Sequence, residues 1–100
     1  MNRNMMRQAQ KLQAELQKVQ EELEKSTVEG SSGGGVVKVV MTGKQTIESI
    51  TIDPEAAEDI ELLQDLVVTA VNDAFNKTQE IAARKMGAIT GGMNIPGLGF

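Results

Sequence analysis

One hundred residues, 40% hydrophobic, with ten Lys or Arg against fourteen Asp or Glu and a formal net charge of −4, describe one soluble globular domain. The chain has no Cys and no His, which excludes disulfides, thiol catalysis and Cys-based zinc sites and removes the commonest general base and transition-metal ligand. No apolar run approaches the ~18 residues of a membrane span, and "MNRNMMRQAQ" leads into "KLQAELQKVQ" rather than an apolar signal core, so a cytoplasmic protein with no membrane role is expected.

Residues 2–25 read as a helix. Met5, Ala9, Leu12, Leu16, Val19 and Leu23 recur at alternating spacings of 4 and 3, a coiled-coil-like seam set among Gln, Glu, Lys and Arg. So narrow a seam on so long a helix cannot be buried by a small sheet alone, and it asks for another helix from this chain or a partner. Thr27 to Glu29 can form a short strand, and Gly30 through Gly35 reads as a flexible turn. "VVKVVMT" (36–42) and "TIESITI" (46–52) are β-branched strands joined by Gly43, Lys44 and Gln45. The unit is an antiparallel β-meander with open edges.

Asp53-Pro54 stops the last strand, with Asp a preferred N-cap and Pro a preferred first helical residue. A first turn is possible at 54–58, and a second long helix spans most of 60–86. Leu63, Leu66, Val67, Ala70, Val71, Ala74, Phe75, Thr78, Ile81 and Ala82 give it a broad apolar stripe that should cover the sheet. Its acidic start, and Arg84 and Lys85 near its end, suit the helix dipole. Residues 1–90 are therefore read as one domain. Residues 91–100, "GGMNIPGLGF", are read as a mobile tail. The aromatic content is only Phe75 and Phe100, so the core is light and oligomerisation is favoured.

Few motifs for chemistry are present. Asp53, Glu55, Glu58, Asp59, Glu61 and Asp65 do not follow the alternation, Gly and final Glu of a calcium-binding loop. Glu58, Glu61 and Asp65 share a helix face and allow weak divalent binding, but a solvated, dipole-matched helix start accounts for the block. "GSSGGG" lacks the Lys-Ser/Thr of a P-loop and precedes a strand, so it reads as a turn rather than a nucleotide site. No metal, cofactor or catalytic residue is expected, and nothing resembles a nucleophile–base pair.

Charge is distributed unevenly. Residues 53–65 contain six acids and no base, so without that block the net charge of −4 becomes +2. Residues 1–14 contain Arg3, Arg7 and Lys11 and no acid. In the frame of the seam, Arg3, Arg7, Lys11, Lys18 and Lys25 all point away from it and form a basic ridge. This ridge is either a solvated face, with Glu21 and Glu22 pairing to Lys18 and Lys25 along the helix, or a phosphate-binding surface. A symmetric dimer would present it twice, and each neutralised phosphate adds counterion release. Without Trp or Tyr there is no stacking platform for single strands.

The order of "MMRQAQKLQAELQKVQEEL", a Val-Glu-Gly strand and Gly-rich turn, "GVVKVVMTGK", "ITIDPE", "LLQDLVVTAVNDA" and a Lys-Met before a Gly-Met tail resembles the YbaB/EbfC family of bacterial nucleoid-associated proteins over nearly the whole chain. The resemblance implies an α+β fold in the order α-β-β-β-α, with a small antiparallel meander between two long helices. It also implies an intimate tweezers-like homodimer, binding to double-stranded DNA, a place in chromosome organisation in the nucleoid, and no enzyme activity. By position it places DNA contacts on Arg3, Arg7, Lys11 and Lys18, with Lys38 and Lys44 as weaker candidates on the sheet and hairpin. A rival reading is a protein-interaction module that engages DNA replication or recombination proteins through the helix seams and Met5, Met6, Met86 and Met93, since Met packs irregular interfaces.

Overall fold

Short polar side chains set the element boundaries in the computed structural model, which describes residues 2–90. In chain order these are helix α1 (Arg3–Lys25), strands β1 (Thr27–Ser32), β2 (Val37–Thr42) and β3 (Ile47–Ile52), a short 3-10 helix (Pro54–Glu58), and helix α2 (Ile60–Thr90). The Asn2 side chain accepts from the Met5 N–H at 2.8 Å and starts α1. The Ser26 N–H and hydroxyl both donate to the Glu22 carbonyl, at 2.9 and 2.7 Å, and end it. Asp53 accepts from the Glu55 N–H at 3.0 Å to cap the 3-10 helix, and Asp59 accepts from the Leu62 N–H at 3.1 Å at the start of α2. Two members of the acidic block are thus helix caps, which satisfy otherwise orphaned backbone donors.

The α+β order α-β-β-β-α and the antiparallel β1-β2-β3 meander match the expectation. Several boundaries differ, among them the start of β2, which is Val37 with Val36 left in the turn. β1 runs on to Ser32, so Gly30 lies within a strand and the turn begins at Gly33. The β2–β3 connection takes Thr46 as well as Gly43 to Gln45. α2 continues through Gly87 to Thr90, so Arg84 and Lys85 are not in its last turn and do not serve the helix terminus as expected. An interior Gly costs a helix only about 1 kcal/mol relative to Ala, and Ala88 and Ile89 beyond it line a groove against α1. The tail reading for 91–100, with Met93 and Phe100, lies outside the described residues.

Strand register decides which side chains meet the helix. Val28, Gly30 and Ser32 of β1 stand opposite Met41, Val39 and Val37 of β2. Val37, Val39 and Met41 are buried with Ala70 and Ala74 of α2, and Leu63, Leu66, Val67 and Val71 pack around them. Gly30 lets α2 lie directly on β1, because a Cβ there would collide with the Ala70 carbonyl oxygen and the Ala74 backbone nitrogen. Neither backbone atom can swing aside as a flexible side chain would. Gly30→Ala therefore costs about 1–3 kcal/mol or more by overpacking. That corresponds to a fall of at least about 5 °C in Tm for a domain of this size; thermal melting checks it, and an unchanged Tm contradicts the close approach.

α2 runs antiparallel to the chain that precedes it. Ser32 Oγ donates to the Leu66 carbonyl at 2.6 Å, Ser31 N–H donates to Asp73 Oδ2 at 3.0 Å, and Lys77 Nζ donates to the Glu29 carbonyl at 2.7 Å. Farther along, Lys85 Nζ meets Glu22 Oε2 at 3.1 Å. Asp73 and Lys77 are themselves an i,i+4 ion pair at 3.2 Å. Together they occupy backbone groups on the outer side of β1, so that edge is capped by α2.

The Ser31 backbone N–H, then the Lys77 ammonium, hold the Asp73 carboxyl below its ordinary value of 3.8. A depressed carboxylate pKa means stability that is present above the unfolded value and lost as pH falls through the folded one. Comparing the parent with Asp73→Ala by urea unfolding, the parent's advantage should persist from neutral pH down to about 4 and shrink below it. An advantage independent of pH would contradict the assignment.

β3 is built differently. Ile52, Ile50 and Ile47 stand opposite Val37, Val39 and Met41, past a register shift at Val40/Met41, and so share the face that carries the core. They nevertheless remain 38–43% exposed. α2 covers β1 and β2 and leaves β3 bare, and Phe75, expected within the core stripe, is exposed with Val68 and Ile60. The molecule is long, with a radius of gyration of 18.7 Å, against about 13 Å for a compact hundred-residue domain.

Candidate nucleic-acid interface

Arg3, Arg7, Lys11, Lys18 and Lys25 are all exposed on α1. At about 100° per residue they fall within an arc of roughly 80°, and Arg3 to Lys18 spans about 22 Å of helix axis. The ridge begins at a helix N-terminus, where unpaired N–H groups add positive potential. That placement opposes helix stability, since a first turn favours acids, and α1 has none there.

Two ion pairs join the described residues, Asp73–Lys77 and Glu22–Lys85, and neither involves the ridge. The expected pairing of Glu21 and Glu22 with Lys18 and Lys25 does not form. Glu22 reaches across to α2 instead, because the antiparallel helix brings Lys85 to 3.1 Å. Arg3, Arg7 and Lys11 lie on the part of α1 that α2 does not reach, with residues 2–11 exposed throughout. Lys38 is exposed on the outer face of β2, opposite Ser31 and Thr51, and Lys44 is exposed in the β2–β3 turn. The structure therefore brings Arg3, Arg7 and Lys11 together as one line and sets Lys38 and Lys44 apart on the sheet.

Lys18 borders a groove between the two helices. The groove encloses about 440 Å³ and is lined by Glu15, Lys18, Val19 and Glu22 from α1 and by Arg84, Lys85, Ala88 and Ile89 from α2. Three cations there face two carboxylates, one of which is engaged by Lys85. Arg84 and Lys85 are the basic residues that sequence reasoning placed at a helix end rather than beside α1. A signal for their position existed: a helix of some 27 residues is about 40 Å long, twice the ~20 Å of a six-residue strand, so its second half had to pass α1.

The seam divides along its length. Val19 and Leu23 are buried and Leu12 and Leu16 half-buried, whereas Met5 and Ala9 are exposed. α1 is anchored at its C-terminal end, where Gly43 lies against the Leu23 backbone and a Cβ on it would stand 2.5 Å from the Leu23 carbonyl oxygen. No three acidic side chains are gathered as a metal site among the described residues. No helix among them is long and apolar enough to cross a membrane.

The comparisons with known proteins agree with this architecture. Residues 1–93 match the model of the YbaB/EbfC DNA-binding family. The chain is 60% identical over 96 residues to a nucleoid-associated protein of Desulforamulus reducens, covering 94% of this chain and 91% of that protein. It is 50% identical over 97 residues to a nucleoid-associated protein of Alkaliphilus metalliredigens, covering 95% and 85%. Among solved structures, the uncharacterized protein HP0035 from Helicobacter pylori superposes with a TM-score of 0.74 at 25% identity, over 90% of this chain and 96% of that one. With a match across nearly its whole length, the chain belongs to the YbaB/EbfC DNA-binding family.

Proposed function

We propose that this protein is a non-enzymatic, homodimeric organiser of the chromosome, acting in the cytoplasm at the nucleoid, and that it grips duplex phosphates with Arg3, Arg7, Lys11 and Lys18. The observation that carries the reading is the line of Arg3, Arg7 and Lys11 on an exposed helix start, in no ion pair and with no acid before Glu15. Solvated cations normally sit near carboxylates on helix faces; these are concentrated where the helix dipole repels them. Lys38 and Lys44 contribute less, because each is isolated on the sheet. Residues 1–90 act as the working unit and 91–100 as an appended segment.

What this chain leaves open supports a position for the second copy. Ile47, Ile50 and Ile52 of β3 and Ile60, Val68 and Phe75 of α2 offer exposed apolar surface, and clusters of this kind mark interaction sites. The β1 edge is occupied by Asp73 and Lys77, which leaves β3 as the edge able to pair. Two copies joined there double the basic ridge.

Duplex binding measured across a salt series, with mass determined on the same sample, tests both parts. Four cations per protomer in a dimer set a limiting log–log slope of about −7. A salt-insensitive interaction, or none at low salt, contradicts the phosphate reading. A second reading, an interaction module for a protein that acts on replicating or recombining DNA, draws on the exposed Met5 and Met6. It is favoured if no duplex is bound.

The acidic block lies on the far end of α2 from the ridge, so Glu58→Gln, Asp59→Asn and Glu61→Gln together should strengthen nonspecific binding a few-fold at low salt. Asn at 59 keeps the cap that Asp59 supplies. A loss of binding in the folded triple variant contradicts this placement.

A further inference from the structure

The basic ridge has two flanks on α1, and they differ in charge. At about 100° per residue, counted from Arg3, the ridge covers roughly 0–80° and the seam roughly 160–240°. Met6, Gln10, Gln13, Gln17 and Gln20 fall together at roughly 260–340°. Of the five Gln in α1, only Gln8 lies elsewhere. All five residues of this strip are exposed and none is charged. Met6, 50% exposed, stands about 100° round from Met5, so it does not continue the seam. The other flank carries Glu15 and Glu22, which line the groove against α2. That groove begins at Glu15, and residues 2–11 are exposed throughout. The start of α1 is thus a bare cylinder about 10–12 Å across. A DNA major groove about 12 Å wide admits it, and a minor groove about 6 Å wide does not.

We propose that the start of α1 enters the major groove of duplex DNA, where Gln10 and Gln13 read adenine and Met6 packs against a thymine methyl. This rests on the phosphate contacts proposed for Arg3, Arg7 and Lys11, which hold the helix against one wall of the groove and turn the uncharged strip toward its floor.

The chemistry of the strip suits base edges. A Gln amide donates from Nε2 to adenine N7 while its Oε1 accepts from the adenine amino group. Guanine presents two acceptors at the same place, which leaves the Gln oxygen unpaired. A carboxylate on this flank would be repelled by the phosphates, and a cation would be drawn to them. Met6 to Gln13 spans about 10 Å of helix axis, about three base pairs at 3.4 Å each. The site read is therefore a short step containing A·T pairs. Gln17 and Gln20 lie past Glu15, at levels where α2 stands alongside, and are assigned no base.

Titration of the full chain with three duplexes of equal length tests it. One is rich in A·T, one is G·C throughout, and one is inosine·cytosine, which combines the major groove of G·C with the minor groove of A·T. The parent should prefer the A·T duplex over both others by at least about fivefold. Gln10→Ala with Gln13→Ala, a change that favours the helix, should remove the preference and keep the parent's salt slope. Replacing adenine by 7-deazaadenine, which lacks N7, should do the same to the parent. Uracil in place of thymine should weaken the parent and leave Met6→Ala unaffected. A parent that binds all three duplexes alike with a steep salt slope keeps the phosphate contacts and overturns base reading. Inosine·cytosine bound as well as A·T overturns it too, because discrimination then lies in the minor groove or in duplex shape. So does an A·T preference that survives Gln10→Ala with Gln13→Ala. Binding to no duplex at low salt overturns the phosphate contacts and base reading together.

Discussion

On the proposed phosphate contacts, reversing Arg3, Arg7, Lys11 and Lys18 to Glu should abolish duplex binding while leaving α1 at least as stable as before. The two effects have opposite signs because one helix end serves two demands. Phosphate contact wants cations at an exposed N-terminus; the dipole wants anions there, with each favourable charge contributing about 0.3–1 kcal/mol. α1 has no acid in its first turn, so a new Glu side chain at 3 improves the helix as the reversals remove the ridge. Four reversals of two charges each also take the protomer from −4 to −12, which adds general repulsion. The four-fold Gln variant separates the two effects. If contacts dominate, it should lose most of its affinity and lower the magnitude of the salt slope by about 0.9 for each phosphate contact removed. Lys38→Gln with Lys44→Gln should cost less. Titrations at several salt concentrations with far-ultraviolet circular dichroism on the same samples give both readouts. A folded Glu variant that binds like the parent removes these residues from the interface.

Much of the fold could be read from local chemistry. Asp53-Pro54 and Gly43 to Gln45 mark breaks through residues that prefer caps and turns. The β-branched run at 36–42 gave a strand, and the 4-3 spacing on α1 gave the seam; that Val37, Val39 and Met41 form the buried face came from the structure. What escaped depended on how far one element travels past another. Gly30 looks like part of a Gly-rich turn until the backbone of α2 is seen lying on it. Gly87 looks like a helix end, but contacts beside it carry the helix to Thr90. Glu22 has Lys18 and Lys25 within helical reach, yet an antiparallel neighbour offers it Lys85. Phe75 fits the apolar stripe by spacing, and only the lateral position of α2 over β1 and β2 explains why it is exposed. On the ridge, sequence identified the residues, and the structure added that the N-terminal part of α1 lies clear of α2. The position of Arg84 and Lys85 beside Lys18 followed from helix length, a quantity already available in the uninterrupted run from Ile60.

If the proposed homodimer pairs through β3, Ile50→Asp should yield a monomer without unfolding the protomer. Ile50 sits in the middle of the bare apolar strip, between Ile47 and Ile52 and opposite buried Val39. At 43% exposure in the isolated chain it contributes little to the core, so an Asp there keeps access to water and costs the monomer little. In a two-fold interface the same residue enters twice, and each carboxylate would be carried into an apolar contact without a partner. A central interface position costs at least about 2 kcal/mol when disrupted, a factor of roughly 30 in affinity, and symmetry applies it from both sides. Sedimentation or light scattering should show a monomer at concentrations where the parent is dimeric, with unchanged helix content. Thr51→Asp is the matched control, because Thr51 stands on the opposite face beside Lys38 and should leave the mass unaltered. DNA binding then reports on the coupling between interface and ridge. A monomer retains four cations, so its salt slope should be about half that of the dimer, and its affinity should fall by the avidity that a second ridge supplies. An Ile50→Asp protein that stays dimeric would move the interface away from β3. A monomer with the full slope would mean that one ridge makes all the phosphate contacts.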